Sequence, residues 1–444
     1  MSIEWIVFFF FLMIFVFLAL GLPLCFVLGG AAVLFIFFTW GPAALYVVVT
    51  STWNTMGQFI LLAVPLYLFM AFILERAGVA EDLYDMMYLW FGPVRGGLAV
   101  GTIIICTIFA AMSGITGTAT VTMAAIALPS MLKRGYDKSL AIGCINSGAG
   151  WGILMPPSVD MIIYALIAQE SVGKMFAGGV LPTILLLILD TIYILTRSYF
   201  QPKIAPALPK DKRADWPTKF RSLKALVLPM LVIVAVLGCI LLGITTPTEA
   251  AAIGVFGALA SAYVNRKLSW AMVKEAAIRT LNITGMVMWI IFGAGVFSSF
   301  LQGVGASQVI IDLMKYIPAG RWGTFIFFQI IIFILAMLMN STTIMMLTIP
   351  IFVPVIKALG FDPLWYGVLF IVQMEVGCMT PPFGYNLFYI KSVVSTSNDR
   401  FLKDITMADI YRSVIFFTIC EMTGFVIMCI FPEIILLLPN MLFR

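Results

Sequence analysis

The sequence predicts an all-α polytopic membrane protein, built as an inverted-topology repeat with two re-entrant helical hairpins and two broken helices. Three observations predict it. Of the 444 residues, 62% are hydrophobic and 11% charged, with a mean hydropathy of +1.09, so nearly everything outside short loops is apolar. Motifs and apolar segments recur at one fixed offset of 225 residues. Four apolar segments are interrupted midway by small, polar or proline residues, where hydrocarbon offers no replacement for lost backbone hydrogen bonds.

At about 20 residues per span, the length accommodates roughly ten spans. The offset aligns Gly152–Ser158 (GILMPPS) with Gly377–Phe383 (GCMTPPF) and Gly135–Asp137 with Gly360–Asp362. It also pairs Pro129 with Pro354, Thr118 with Thr343 and Gly78 with Gly303. The first repeat is expected over 1–200, with scaffold spans in 1–75, a hairpin over 97–134 and a broken helix over 138–165. A linker follows at 201–224. The second repeat, 225–444, carries scaffold spans in 225–300, a hairpin over 322–358 and a broken helix over 363–392. Each hairpin follows an amphipathic connector, around 79–92 and 305–317. The N-terminus lacks a basic n-region and a small-residue cleavage site, and reads as a retained first span.

Charge orients the chain. The linker carries Lys203, Lys210, Lys212, Arg213, Lys219, Arg221 and Lys224 against Asp211 and Asp215, which places it in the cytoplasm. Arg95, Lys133 and Arg134 flank the first hairpin, whereas only Arg321 and Lys357 flank the second. Opposite entry sides fit, and five crossings plus one hairpin per half invert the second half relative to the first. Inverted repeats around broken helices are a hallmark of secondary transporters.

Interrupted helices present free carbonyls, which suit a hard monovalent cation such as sodium, and free amides, which attract an anion. In the first half the expected ion ligands are Ser113, Gly114 and Gly117 at the hairpin tip, and Gly148, Gly152 and Pro156 at the break. In the second half they are Met339, Asn340, Gly377 and Thr380. Small residues here also serve close helix packing, which is the alternative account of each glycine. Substrate contacts are expected from Thr116, Ser158, Ser341, Thr342 and Asn386, none of them cationic. Asp160 and Glu375 are acids inside apolar segments beside the breaks, and hence candidates for ion, proton or substrate work. Asp190 and Glu421 are assigned to scaffold or interface.

Other chemistry is not expected. The seven cysteines are dispersed and histidine is absent, so no zinc or haem site is read, and no organic cofactor. The net charge of +5 reports loop orientation, not nucleic-acid binding. Thr246–Ala251 (TPTEAA) reads as a capping box with proline at the first helical position. No nucleophilic triad or phosphate loop points to an enzyme.

Together, Ser113–Thr120 (SGITGTAT), Gly135–Asp137, Gly152–Ser158, Thr246–Ala251 and Thr380–Phe388 (TPPFGYNLF) resemble the large, DctM-like membrane subunit of tripartite ATP-independent periplasmic (TRAP) transporters. The resemblance covers essentially the whole chain. It implies an elevator-type ion transporter fold in the bacterial inner membrane and sodium-coupled uptake of a small organic acid: a carboxylate, dicarboxylate or sugar acid. It also implies a periplasmic substrate-binding protein, a separate small four-helix membrane subunit, and two or more sodium ions. The ion positions carried over are Ser113, Gly114, Gly117, Gly152, Pro156, Asn340, Gly377 and Thr380. The second tip, Met339–Thr342, is more polar than the glycine-rich tip expected, and Trp151 occupies the first break. The alternative is a stand-alone symporter of divalent anions and sodium, without a binding protein.

Overall fold

A computed structural model of the chain describes residues 2–114, 116–209, 213–314, 316–318, 320–397 and 399–443, with only the backbone at Ser307. The linker charges Lys210, Asp211 and Lys212 lie outside the described residues. Helices α1 (Ile3–Ala19), α2 (Leu24–Trp40), α3 (Tyr46–Met56), α4 (Ala63–Arg76) and the amphipathic α5 (Val79–Phe91) come first. They are followed by α6 (Gly97–Ser113), α7 (Thr116–Lys133), α8 (Lys138–Gly150), α9 (Val159–Ala168) and the 29-residue α10 (Val172–Phe200). At 1.5 Å per residue α10 is about 43 Å long. After α11 (Trp216–Ser222) come α12 (Lys224–Leu241), α13 (Pro247–Val264), α14 (Trp270–Val304), α15 (Ala306–Met314), α16 (Gly320–Leu338) and α17 (Ser341–Ala358). The chain ends in α18 (Pro363–Cys378), α19 (Tyr385–Thr396), α20 (Met407–Ile430) and α21 (Glu433–Leu442). No strand occurs among the described residues. Eight helices there are long and apolar enough to cross a membrane.

Two groups of helices position the site. Helix α13 packs on α4, and α14 on α2, α3 and α4, forming one layer. Helices α6 to α9 and α16 to α19 form a second, buried bundle in which the halves cross: α17 packs on α9, and α19 on α7. Contacts of α4 with α6 and of α14 with α17 join the layers.

The second half differs from the sequence reading in one respect. Lys274 and Arg279 are basic residues of the kind that mark loops in apolar sequence, yet α14 runs through them unbroken for 35 residues. No proline interrupts it, and its charges find partners: Arg279 Nη1 lies 3.4 Å from Glu75 Oε1, and Glu275 pairs with Arg76. In the first half the corresponding stretch breaks at Gly57 and Gln58, between α3 and a short 3-10 turn that leads into α4.

At the start of α13 the capping box is complete. Glu249 Oε2 accepts the Thr246 amide at 2.8 Å, and Thr246 Oγ1 accepts the Glu249 amide at 3.3 Å. Thr246→Ala is expected to lower stability by about 1 kcal/mol, read as a modest fall in unfolding temperature with no change in ligand response. At the opposite end, Lys133 Nζ meets Asp399 Oδ2 at 2.9 Å. The hydrogen bonds from Lys133 and the Phe401 amide hold the Asp399 carboxyl below its ordinary range. This tie is therefore whole at neutral pH and weakens as pH falls through the lowered value.

Candidate functional site

The two hairpin tips use different chemistry for the same turn. Helix α6 ends as Gly114 adopts φ +63 and its amide donates to the Ala110 carbonyl at 2.8 Å, a left-handed exit that favours glycine. Ile115 lies outside the described residues. At the second tip Asn340 is extended, and its Oδ1 accepts the Thr343 amide at 2.9 Å, capping α17. Polar residues at the second tip therefore replace a left-handed glycine with an N-cap.

The breaks follow. A 3-10 turn, Trp151–Ile153, ends α8. Ser158 then starts α9: its Oγ donates to the Ile153 carbonyl at 2.6 Å and accepts the Met161 amide at 3.3 Å. In the second half α18 ends at Cys378, and Gly384, at φ +57, starts α19. The Gly384 amide donates to the Met337 carbonyl at 3.2 Å, tying this break to α16. The Pro156–Pro157 and Pro381–Pro382 bonds are both cis.

These elements enclose a cavity of about 200 Å³. The first residues of four helices line it: Thr116 and Gly117 of α7, Val159 and Asp160 of α9, Ser341 and Thr342 of α17, and Tyr385 and Asn386 of α19. Gly114, Asn340 and Glu375 complete its polar wall, and no Lys or Arg belongs to it. The opposite wall, from the first layer, is apolar: Leu68 of α4 and Ile283, Met286 and Val287 of α14. Four positive helix ends and two carboxyls thus face one small space.

Each acid stands beside a hydroxyl residue of the other half. Within the second half Asn386 Nδ2 donates to Glu375 Oε1 at 2.7 Å, and Thr116 of the first half lines the cavity with that carboxyl. Ser341 of the second half lines it with Asp160 of the first. Glu375 owes its place to Gly150, where a Cβ would lie 2.1 Å from its Oε1. Gly117 likewise admits the Tyr389 ring, whose nearest atom lies 2.7 Å from the position of an added Cβ.

Of the residues expected at the site, Gly114, Thr116, Gly117, Asn340, Ser341, Thr342, Asn386, Asp160 and Glu375 meet in this cavity. Ser113 is buried beside it, its hydroxyl donating to the Ala110 carbonyl at 3.0 Å. Ser158, Gly148, Gly152, Pro156, Met339, Gly377 and Thr380 stand outside the lining. Ser158 is committed to its cap, and the Thr380 hydroxyl donates to the Val376 carbonyl at 2.6 Å. Gly148 and Gly152 are pressed on α6 at Ile103 and Ala110, and Gly377 on α16 at Phe333 and Ala336, so close packing accounts for these three. Asp190 and Glu421 are fully buried and meet at Ser147, whose hydroxyl lies 2.6 Å and 3.2 Å from them.

Sequence reasoning missed Gly150, Tyr385, Tyr389 and the apolar wall. A signal for Gly150 existed, since the 225-residue offset carries it onto Glu375. A larger cavity of about 540 Å³ beside Gln58, Gln169 and Thr245 contains no tip residue.

A multi-pass helical protein whose cavity is built from helix breaks belongs to the class of membrane transporters. More particularly, residues 11–434 match the family described as the tripartite ATP-independent periplasmic transporter, DctM component, and the chain belongs to that family. It is a multi-pass protein of the bacterial inner membrane. It is 31% identical over 369 residues to the C4-dicarboxylate TRAP transporter large permease protein DctM of Pseudomonas aeruginosa, covering 82% of this chain and 84% of that one. It is 29% identical over 429 residues to the ectoine TRAP transporter large permease protein TeaC of Halomonas elongata, covering 96% and 97%. In fold it is similar to the YdaH transporter of Alcanivorax borkumensis, with a TM-score of 0.64 at 12% identity over 90% of this chain and 89% of that one.

Proposed function

We propose that the chain is the large permease subunit for sodium-coupled uptake of a small organic acid delivered by a periplasmic binding protein. The observation that carries this reading is the cavity itself. Four helix N-termini favour an anionic group, while Asp160 and Glu375, with no base in the lining, call for bound cations. An anion and sodium ions then stabilise each other's binding, which is coupling in thermodynamic form. Two acids, one near each tip, fit two or more sodium ions. A carboxylate solute is shared chemistry between the dicarboxylate and ectoine carriers that resemble this chain.

The apolar wall supports an elevator. Leu68, Met286 and Val287 make no hydrogen bonds with their side chains, so a bundle carrying the tips and breaks slides past them without breaking polar contacts. In this reading residues 201–224 are cytoplasmic and the halves are inverted. The exposed aromatics of the first helices, Trp5, Phe8 and Phe15, are the surface for a small four-helix subunit. The stand-alone symporter reading is separated by one requirement: uptake without two further proteins would favour it.

Titrating the purified protein with sodium against potassium at constant ionic strength tests the coupling ion. At a hundredfold its dissociation constant, a ligand specific for the folded state adds about 2.7 kcal/mol. A sodium-specific rise in unfolding temperature is expected, reduced in Ser113→Ala and Asn340→Ala. Because Asn340 also caps α17, the comparison is of the increment on adding sodium, not of the baseline. Equal responses to both cations would overturn the assignment.

A further inference from the structure

A second polar cleft lies further along the same wall. It has a volume of about 240 Å³ and sits between α3, α14 and the C-terminal end of α9. Its chemistry is unlike the surrounding apolar surface. Four carboxamides converge on it from separate elements: Asn54, Gln58, Gln169 and Gln302. Hydroxyls supplement them. Ser299 donates to Ser51 at 3.0 Å, and Gln302 Nε2 donates to Ser298 at 3.1 Å. No ionisable side chain lines the cleft.

Its position is informative. Gln58 and Gln169 also line the larger cavity of about 540 Å³, so the two spaces adjoin. That larger cavity includes Val172, the first residue of α10, and Thr245, which follows α12. Both mark the end of the bundle opposite the linker. Along α14 the cleft begins about one turn beyond the tip cavity, Ile291 standing roughly 6 Å past Val287, and its polar part at Ser298 lies roughly 16 Å past it at 1.5 Å per residue. Between the two levels the facing surface is α17, whose Met346 and Pro350 border the cleft while its Ser341 and Thr342 line the tip cavity.

We propose that this cleft is an extracytoplasmic receiving site for the transported solute, a neutral hydrogen-bonding station for a small organic acid on its way to the tips. Carboxamide and hydroxyl groups offer donors to a carboxylate or sulfonate without a fixed charge to trap it. Such a station binds weakly and releases readily, as a path with successive sites requires. The proposal deepens the transport reading given above and rests on it for direction.

The test uses the full chain in right-side-out vesicles with single added cysteines and a membrane-impermeant probe, 2-sulfonatoethyl methanethiosulfonate, itself a small organic acid. A cysteine thiolate displaces methanesulfinate from it and forms a mixed disulfide. None of the seven native cysteines is exposed, and their background is measured on the parent chain and subtracted. Ser298→Cys is expected to react from outside, at a rate that saturates with probe concentration. Leu242→Cys, on an exposed residue at the same end, reacts at a rate that stays linear. Adding Gln302→Leu is expected to slow the Ser298→Cys reaction at low probe concentration by about tenfold, the equivalent of one lost hydrogen bond. A linear rate at Ser298→Cys, or no reaction there while Leu242→Cys reacts, overturns the receiving site. Trp216→Cys, on the linker side, separates the two readings. Its labelling from outside would overturn the orientation in the transport reading, while the contrast between Ser298 and Leu242 would still decide the cleft.

Discussion

Replacing Glu375 by alanine is expected to abolish the sodium-dependent rise in unfolding temperature and to reduce uptake to background. Glu375 is buried in the cavity wall and accepts from Asn386 at 2.7 Å. Truncation strands that donor and removes one of the two carboxyls that face four positive helix ends. A hydrogen bond to a charged group contributes about 1.5–3 kcal/mol, and a loss near 3 kcal/mol is about a hundredfold in affinity. Glu375→Gln keeps an acceptor for Asn386 while losing the charge, so it separates packing from cation binding. It is expected to fold with an unchanged baseline and to lose the sodium response, as is Asp160→Asn. Gly150→Ala is the sharper probe, because it replaces no lining residue yet drives a methyl group to within 2.1 Å of the Glu375 carboxylate. The same phenotype is expected from it. A wild-type sodium response in Glu375→Gln would remove this acid from the ion site.

The second large effect concerns folding. Gly152→Ala places a Cβ 2.3 Å from the Ala110 Cβ and 2.6 Å from the Ala110 carbonyl carbon. No side chain can swing aside there, so α6 must move away from the break. Overpacking of this kind costs about 1–3 kcal/mol, sometimes more. Gly377→Ala is expected to behave alike against α16, where Ala336 Cβ lies 2.4 Å and the Phe333 carbonyl oxygen 2.8 Å from the new atom. Gly238→Ala is the matched control, with nothing within 4 Å. The measurement is unfolding temperature without ligand. Equal baselines for Gly152→Ala and Gly238→Ala, with sodium binding lost only in the former, would return Gly152 to the ion ligands and displace the packing account.

Much of the architecture was legible because membrane helices announce themselves by length and apolarity, and because interruptions in hydrocarbon are costly enough to be rare. The turns at Gly114 and Asn340, the restart of α9 after Pro156 and Pro157, and the cap at Thr246 all follow from local chemistry. The continuous α14 was not legible, because basic residues such as Arg279 read as the mark of a loop until Glu75 is seen to reach Arg279 from another helix. The site divides along the same line. Residues at tips and helix starts were identifiable as types, but whether Ser158 offers its hydroxyl to a solute or to the Ile153 carbonyl depends on geometry that no spacing encodes. The placement of Thr116 with Glu375 and of Ser341 with Asp160 in one cavity is tertiary, and so is the apolar wall, whose leucine, isoleucine, methionine and valine are indistinguishable in sequence from any lipid-facing stripe.

The contact between Gly150 and Glu375 has a consequence for symmetry. The two positions correspond under the 225-residue offset, and residues exchanged by a two-fold rotation approach each other only on its axis. Two glutamates there would collide, whereas two glycines would leave the cavity without that acid. Two identical halves related by such a rotation could not hold this carboxylate in this place. The site therefore depends on a difference between the two positions, a hydrogen atom at one and at the other the side chain that fills the space beside it.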